Sequence, residues 1–506
     1  MGNRTQRAKY NVFFSLALQI VSIVCGLIVP RLIIRAFGSE IYGATTSISQ
    51  FLSYIALLEG GIGGVARASL YKPLADKDAQ GISSVVNEIK RFFFYIGCAF
   101  LAYVVILSIS FRTISHTEVL DVFSSIALVW AISFSTFLQY FVGLSYGILL
   151  QADQKEYICA IFSIFTIATN AVLVYILIVL KCSIITVKFV SSAVFAMKPI
   201  LQYLYVKKNY NIIKTERNKE ALKQKWTGLG QHFAYFIHSN TDIVVLTVFS
   251  NLKAVAVYSV YNMVISSIQN LTKAFSSGME ALFGELYSKK ETEQLKRTFS
   301  YYDVLISAVS VLMFSVTCVL IIPFVKLYTN GITDANYIVP EFSLLLLLAA
   351  VIFCLRIPYH SLTIAAGMFK ETKMAAYGEA LINLTLSIIL VIRYNLIGVA
   401  IGTVVATVFR FIYYAVFLSR HIIHQKVYAF FKRISVDIIM FLCVVMPCNF
   451  IVSQISLDNY LKWTIAGIAV FTFGLAVVLL INGLFYRCEM KAILTRLKNR
   501  VARKTT

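Results

Sequence analysis

The sequence predicts an all-α polytopic membrane protein of about fourteen transmembrane helices, built as two six-helix lobes in pseudo-two-fold repeat plus two C-terminal helices. Three observations predict it. Apolar residues are 59% of the 506-residue chain and charged residues only 14%, far from the balance of a soluble domain. Apolar runs of about 18 residues or more recur throughout, each long enough to cross about 30 Å of hydrocarbon. Lys and Arg gather in alternate loops, as the positive-inside rule requires.

The first span is expected near 11–36. Its basic lead-in, M-G-N-R-T-Q-R-A-K-Y, is followed by no small-residue cleavage site, so the helix is read as retained. Further spans follow near 41–66, 91–111, 119–144, 157–180, 183–206, 228–250 and 254–279. The remainder fall near 300–327, 341–365, 376–393, 396–418, 435–456 and 462–485. Cationic loops hold Lys72, Lys77, Lys90 and Arg91, then Lys155, then Lys207 through Lys225, and the alternation continues to Arg420, Lys426, Lys432 and Arg433. The opposite loops are short and hold few cations, such as Arg112, Lys181 and Lys253. Both termini are therefore expected in the cytoplasm, and an even number of spans, which puts them on the same side, agrees with that.

The basic loop 207–227 reads as a connector between an N-terminal lobe, 1–206, and a C-terminal lobe, 228–418. Two additional helices, 419–485, and a basic tail, 486–506, complete the chain. The halves match weakly at a shift of roughly 212 residues. Asn170 answers to Asn383, Lys198 to Arg410, and Phe37-Gly38 to Phe249-Ser250. Six spans per half give repeats of the same orientation, related by an axis along the membrane normal.

A net charge of +22 invites a nucleic-acid reading, but its confinement to alternate loops argues for membrane orientation and against nucleic acid. The nine cysteines are scattered without a C-x-x-C pair, so neither a disulfide framework nor a metal site is expected. No Gly-rich phosphate loop, H-E-x-x-H or nucleophile–base pair is present, so no catalytic residue and no enzyme activity are expected. The largest outer loop, near 328–340, is also short for a membrane enzyme of glycan chemistry.

The informative residues are charges placed inside spans, where each costs several kcal/mol unless it faces protein or a wet cavity. The stretch 30–67 organises them: Arg31 and Arg35 share one helical face, a turn follows at Phe37-Gly38, and the next helix ends in Glu59-Gly-Gly-Ile-Gly-Gly and Arg67. Asp242, Lys198 and Arg410 fall near mid-depth, and Lys273 and Arg356 nearer the cytoplasmic side. Arg31, Arg35, Lys198, Lys273, Arg356 and Arg410 are the candidates for a cationic cavity, and at least three are expected to face a cavity between the lobes. Such a cavity suits an anion, and Arg matches phosphate oxygens in two-point contact. Snorkelling to headgroups is the plainer account of Arg31, Arg35, Arg67 and Lys273. Glu59 and Asp242 are the candidates for ion coupling.

P-R-L-I-I-R-A-F-G-S-E-I-Y-G from Pro30 and the later L-L-E-G-G-I-G carry a family pattern. So does A-A-G-M-F-K-E-T-K-M-A-A-Y-G-E-A-L-I-N-L-T-L-S-I, followed by N-L-I-G-V-A-I-G-T. From about residue 11 to about residue 418 the chain resembles bacterial polysaccharide-export flippases of O-antigen and capsule repeat units. That family belongs to the multidrug/oligosaccharidyl-lipid/polysaccharide exporter superfamily, which also holds multidrug and toxin extruders and lipid II flippases. The resemblance implies a two-lobed bundle in the bacterial inner membrane, moving undecaprenyl-diphosphate-linked oligosaccharide from inner to outer leaflet by alternating access. It implies no cofactor, with H+ or Na+ coupling. Its implied partners are the lipid-linked glycan, membrane lipids, a polysaccharide polymerase and glycosyltransferases. The two helices beyond the twelfth depart from the twelve-span pattern and match lipid II flippases in number. The substrate therefore stays open between O-antigen or capsule units, teichoic-type polymers and lipid II. A cation-coupled multidrug extruder would want carboxylates to dominate its cavity, and the excess of intramembrane Lys and Arg weighs against it.

Overall fold

The computed structural model describes residues 2–60, 62–213, 229–274, 279–424 and 426–491; most of the expected connector and tail lies outside them. Every regular element among the described residues is helical. In order they are α1 (Gly2–Phe37), α2 (Ser39–Ser53), α3 (Ala56–Glu59), α4 (Ile62–Asp76), α5 (Ala79–Ser115) and α6 (Val122–Leu138). A π-helical turn, Gln139–Gly143, leads into α7 (Leu144–Ala152), α8 (Glu156–Val179) and α9 (Ile184–Asn209). Next come α10 (Leu229–Phe249), α11 (Leu252–Ala274), α12 (Met279–Ser288), α13 (Thr292–Tyr328), α14 (Pro340–Leu355) and α15 (Ile357–Ala365). The chain ends in α16 (Phe369–Tyr394), α17 (Leu396–His421), α18 (Tyr428–Ser453) and α19 (Tyr460–Phe485).

Among the described residues, eleven helical segments are long and apolar enough to cross a membrane, and the bent stretch Ser39–Asp76 makes a twelfth. The chain is a multi-pass membrane protein. The other two expected spans are occupied by α10 and α11. The second of these carries Asn262, Ser266, Ser267, Gln269, Asn270 and Lys273, too polar a set for a lone span.

Helix ends follow local chemistry. Asp78 caps α5 by accepting from Gln80 N at 3.0 Å, and Asn459 caps α19 through Lys462 N at 2.8 Å. Ser183 does the same for α9 through Thr186 N. At Gly38 the φ of +87° allows the turn from α1 to α2. The freed N-terminus of α2 is capped from far along the chain, with Asp334 accepting from Ser39 N at 2.6 Å and Ser39 Oγ at 2.7 Å. Gly60, at φ +55°, ends α3 in the left-handed region, and the chain there bends by 48° into α4.

By contact the chain divides into two compact units, Met1–Ala256 with Ile332–Ala335, and Val257–Gly331 with Asn336–Thr506. The lobes expected at 1–206 and 228–418 rest on the sequence repeat, whereas the contacts draw the line inside α11. In the first unit α8 packs on α1 and α9, and α9 also packs on α6. In the second, α17 packs on α14 and α16. The C-terminal pair is fastened to α13 by two apolar clusters, one around Val311, Leu312, Met440 and Val478, the other around Leu320, Val444 and Val470. Trp463 Nε1 adds a hydrogen bond to Leu320 O at 3.1 Å.

Candidate functional site

In the first unit the site begins with one face of α9. Lys188, Ser191, Ser192, Phe195, Lys198, Pro199 and Gln202 recur at helical spacing and all line cavities. Polar residues on an interior stripe are costly in a membrane unless water or ligand meets them. Two cavities do so.

The larger, about 460 Å³, is lined by Lys198, Gln202, Glu59, Gln139, Gln151, Cys159, Phe93 and Phe195, among others. Gln202 Nε2 donates to Cys159 Sγ at 3.3 Å. Arg67 reaches its edge, with Nη1 donating to Gln151 Oε1 at 2.9 Å. Glu59 accepts a hydrogen bond from the Tyr140 hydroxyl. Lys198 makes no ion pair among the described residues. The smaller cavity, about 420 Å³, contains Lys188 with Ser49, Ser53, Thr136, Ser191, Ser192, Tyr140 and Phe236. Ser135 and Phe195 belong to both walls.

Two backbone irregularities face these cavities. Glu59 is the last residue of α3, at the left-handed break of the second span. Tyr140, its donor, lies in the π-helical turn of the fourth, which also places Gln139 and Gly143 on the larger cavity. Irregular backbone at membrane depth is tolerated where it lines a wet cavity or is buried in protein, and π-turns often mark functional sites.

The second unit treats its charges differently. Arg356 sits at the break between α14 and α15, with Pro358 just beyond. Its Nη1 contacts Glu379 Oε1 at 2.5 Å, while Arg410 Nη1 pairs with the other oxygen, Glu379 Oε2. Glu379 is fully buried and the two arginines are 4% and 5% exposed. Arg410 Nη2 also donates to Tyr414 Oη at 3.3 Å, and His360 Nδ1 lies 3.2 Å from the same hydroxyl. Lys273 Nζ is 4.8 Å from the centre of the Phe353 ring, and Arg356 Cζ is 4.9 Å from it. The structure thus brings Arg356 and Arg410 together on one carboxylate, with Lys273 beside Arg356 on the Phe353 ring.

A separate buried cluster joins the C-terminal pair to α13. Arg433 Nη2 donates to Val304 O at 3.2 Å and its Nε lies 3.5 Å from Asp437 Oδ1, which accepts from Ser307 Oγ at 2.5 Å. Sequence reasoning placed Arg433 in a cytoplasmic loop; α18 begins earlier than expected and buries it.

Of the remaining candidates, Arg31 is half-buried, Arg35 is exposed and Asp242 is buried on α10. Among the described residues no cluster of His, Cys, Asp or Glu could hold a metal ion. Sequence reasoning missed Lys188, Tyr140 and Glu379. The rule that picked out Lys198, a charge inside an apolar span, applies equally to Lys188 and Glu379. Tyr140 carried no such signal, because only the π-turn aims it at Glu59.

No protein-family model matches the chain, and no curated protein matches it in sequence. Solved structures do. Lipid II flippase MurJ, in an inward closed conformation, matches with a TM-score of 0.68 at 18% identity, over 94% of this chain and 99% of that one. A multidrug resistance MATE family transporter of the MOP superfamily, inward-facing, matches with a TM-score of 0.58 at 12% identity, over 81% and 98%. A third match is a MOP superfamily transporter from Pyrococcus furiosus, whose reversed binding-pocket polarity suggests a different function. Its TM-score is 0.56 at 14% identity, over 82% and 96%. At such identities the likeness is one of fold: this chain has the fold of MOP superfamily transporters.

Proposed function

We propose that the chain is a flippase, carrying an undecaprenyl-diphosphate-linked oligosaccharide from the inner to the outer leaflet of the bacterial cell membrane for surface polysaccharide synthesis. The observation that supports this most is the larger cavity of the first unit, an interior space of about 460 Å³ that combines Lys198 with three glutamine side chains. A lipid-linked glycan has an anionic diphosphate and polar sugars that must cross hydrocarbon, and an ammonium beside amides offers both what they need. Lys198 makes no ion pair among the described residues, whereas Arg356 and Arg410 are engaged by Glu379. O-antigen or capsule units, teichoic-type precursors and lipid II share this head chemistry. Glu59, in the same cavity, is the group we assign to proton or sodium coupling, with the buried Asp242 as its alternative.

Glu59 also favours a second reading, a cation-coupled multidrug extruder, because a cavity carboxylate attracts cationic drugs. The test uses the full chain in liposomes with a fluorescent undecaprenyl-diphosphate oligosaccharide. Quencher accessibility should show exchange between leaflets, and Lys198→Gln should slow it about tenfold or more, the loss of one charge-assisted contact. Wild-type vesicles that leave this lipid in place but accumulate a cationic dye would replace the flippase reading with the extruder.

A further inference from the structure

We infer that the Lys188 chamber is a second anion site, and that the transported glycan carries an anionic substituent on its sugars, a carboxylate or a phosphate. This rests on the flippase reading above and says which glycans it takes.

Lys188 and Lys198 are ten residues apart on α9, about 15 Å along the axis. Each opens into its own cavity, and Ser135 and Phe195 form the shared wall. Lys188 makes no ion pair or hydrogen bond among the described residues, although it lies inside a membrane-spanning helix. An ammonium left so inside a span costs free energy that a bound anion would offset.

The chamber supplies the rest of a receptor. The hydroxyls of Ser135, Thr136 and Ser191 face it and make no hydrogen bond among the described residues, so their protons are available to an acceptor. Among the described residues no carboxylate lines this chamber, unlike its neighbour, where Glu59 does. Phe195 and Phe236 add aromatic faces for the C–H side of a sugar ring. A volume of about 420 Å³ lies within the range of small-molecule sites. A neutral sugar would use the hydroxyls and leave the ammonium unpaired; an acidic sugar uses both.

The full chain in liposomes is given three undecaprenyl-diphosphate trisaccharides that differ only in the terminal sugar: a neutral hexose, a uronic acid and a hexose phosphate. The acidic forms should move about tenfold or more faster than the neutral one, the range of one charge-assisted hydrogen bond. Lys188→Gln should bring that ratio close to one and Lys188→Arg should retain it. Preference for a single acidic form supports the site and identifies the anion. Equal rates for all three in wild type overturn the inference with no variant needed, and leave the flippase reading standing. Equal slowing of all three by Lys188→Gln overturns it too, giving Lys188 no part in selection. If none of the three moves, the flippase reading fails and takes this inference with it.

Discussion

Lys198 and Arg410 occupy corresponding places in the two halves of the sequence, each a cation inside the sixth helix of its repeat, and the two units use them in opposite ways. In the first unit Lys198 lines an open cavity and has no ion-pair partner among the described residues. In the second, Arg410 is 5% exposed and closed on Glu379 together with Arg356. The difference is made by one residue on the neighbouring helix. Glu379 on α16 reaches both guanidiniums, so the triad ties the α14–α15 break to α16 and α17. An intramembrane cation is therefore a pointer to function only after its neighbours are known. Paired, it is a fastening; unpaired beside a cavity, it is a candidate site.

The largest expected effect sharpens that contrast. Glu379→Gln leaves two buried arginines without their counter-charge. Breaking a buried ion pair costs about 3–5 kcal/mol, so the purified variant should show a large fall in Tm or fail to accumulate in the membrane. A variant that keeps wild-type Tm would mean the triad contributes no stability. Arg410→Ala should cost less, because Glu379 keeps Arg356, and the ordering of the two variants in a thermal melt checks this.

Lys198→Gln should do the reverse of both, lowering transport while leaving stability within about 0.5 kcal/mol of wild type, since Lys198 makes no ion pair among the described residues. A destabilised Lys198→Gln would erase the distinction between the units. Tyr140→Phe should cost about 0.5–1.5 kcal/mol, the net worth of the one hydrogen bond that half-buried Glu59 accepts from it. It should also alter the pH dependence of transport if Glu59 is the coupling group.

The smallest effect lies outside the spans. Asp121 caps α6, and hydrogen bonds from Ser124 and Phe123 hold its carboxyl below the usual carboxylate range. A group with a depressed folded pKa contributes stability above its unfolded value, about 3.9, and loses it as pH falls through the folded value. Asp121→Asn should therefore flatten the melt's pH dependence slightly below about pH 4, and leave neutral-pH stability nearly unchanged because Asn also caps.

The site was partly legible in the sequence. A charge inside an apolar run is visible without coordinates, and that rule selected Lys198, Arg356, Arg410, Lys273, Glu59 and Asp242. It does not say what each charge touches. Arg410 and Glu379 are 31 positions apart and Tyr140 and Glu59 are 81 apart, so their meetings depend on how helices pack. The π-turn at Gln139–Gly143 has no composition that announces it.

By itself the sequence determined the membrane class, the succession of helices, the turn at Gly38 and the break at Gly60. Each of these follows from local terms: apolar length against bilayer thickness, and the freedom of glycine at positive φ. Only the tertiary structure decided which cations are spent and which are free. Pairing is a matter of a few ångströms between different helices, set by their rotation and register, and hydrophobic periodicity constrains neither closely enough to place a guanidinium on a carboxylate.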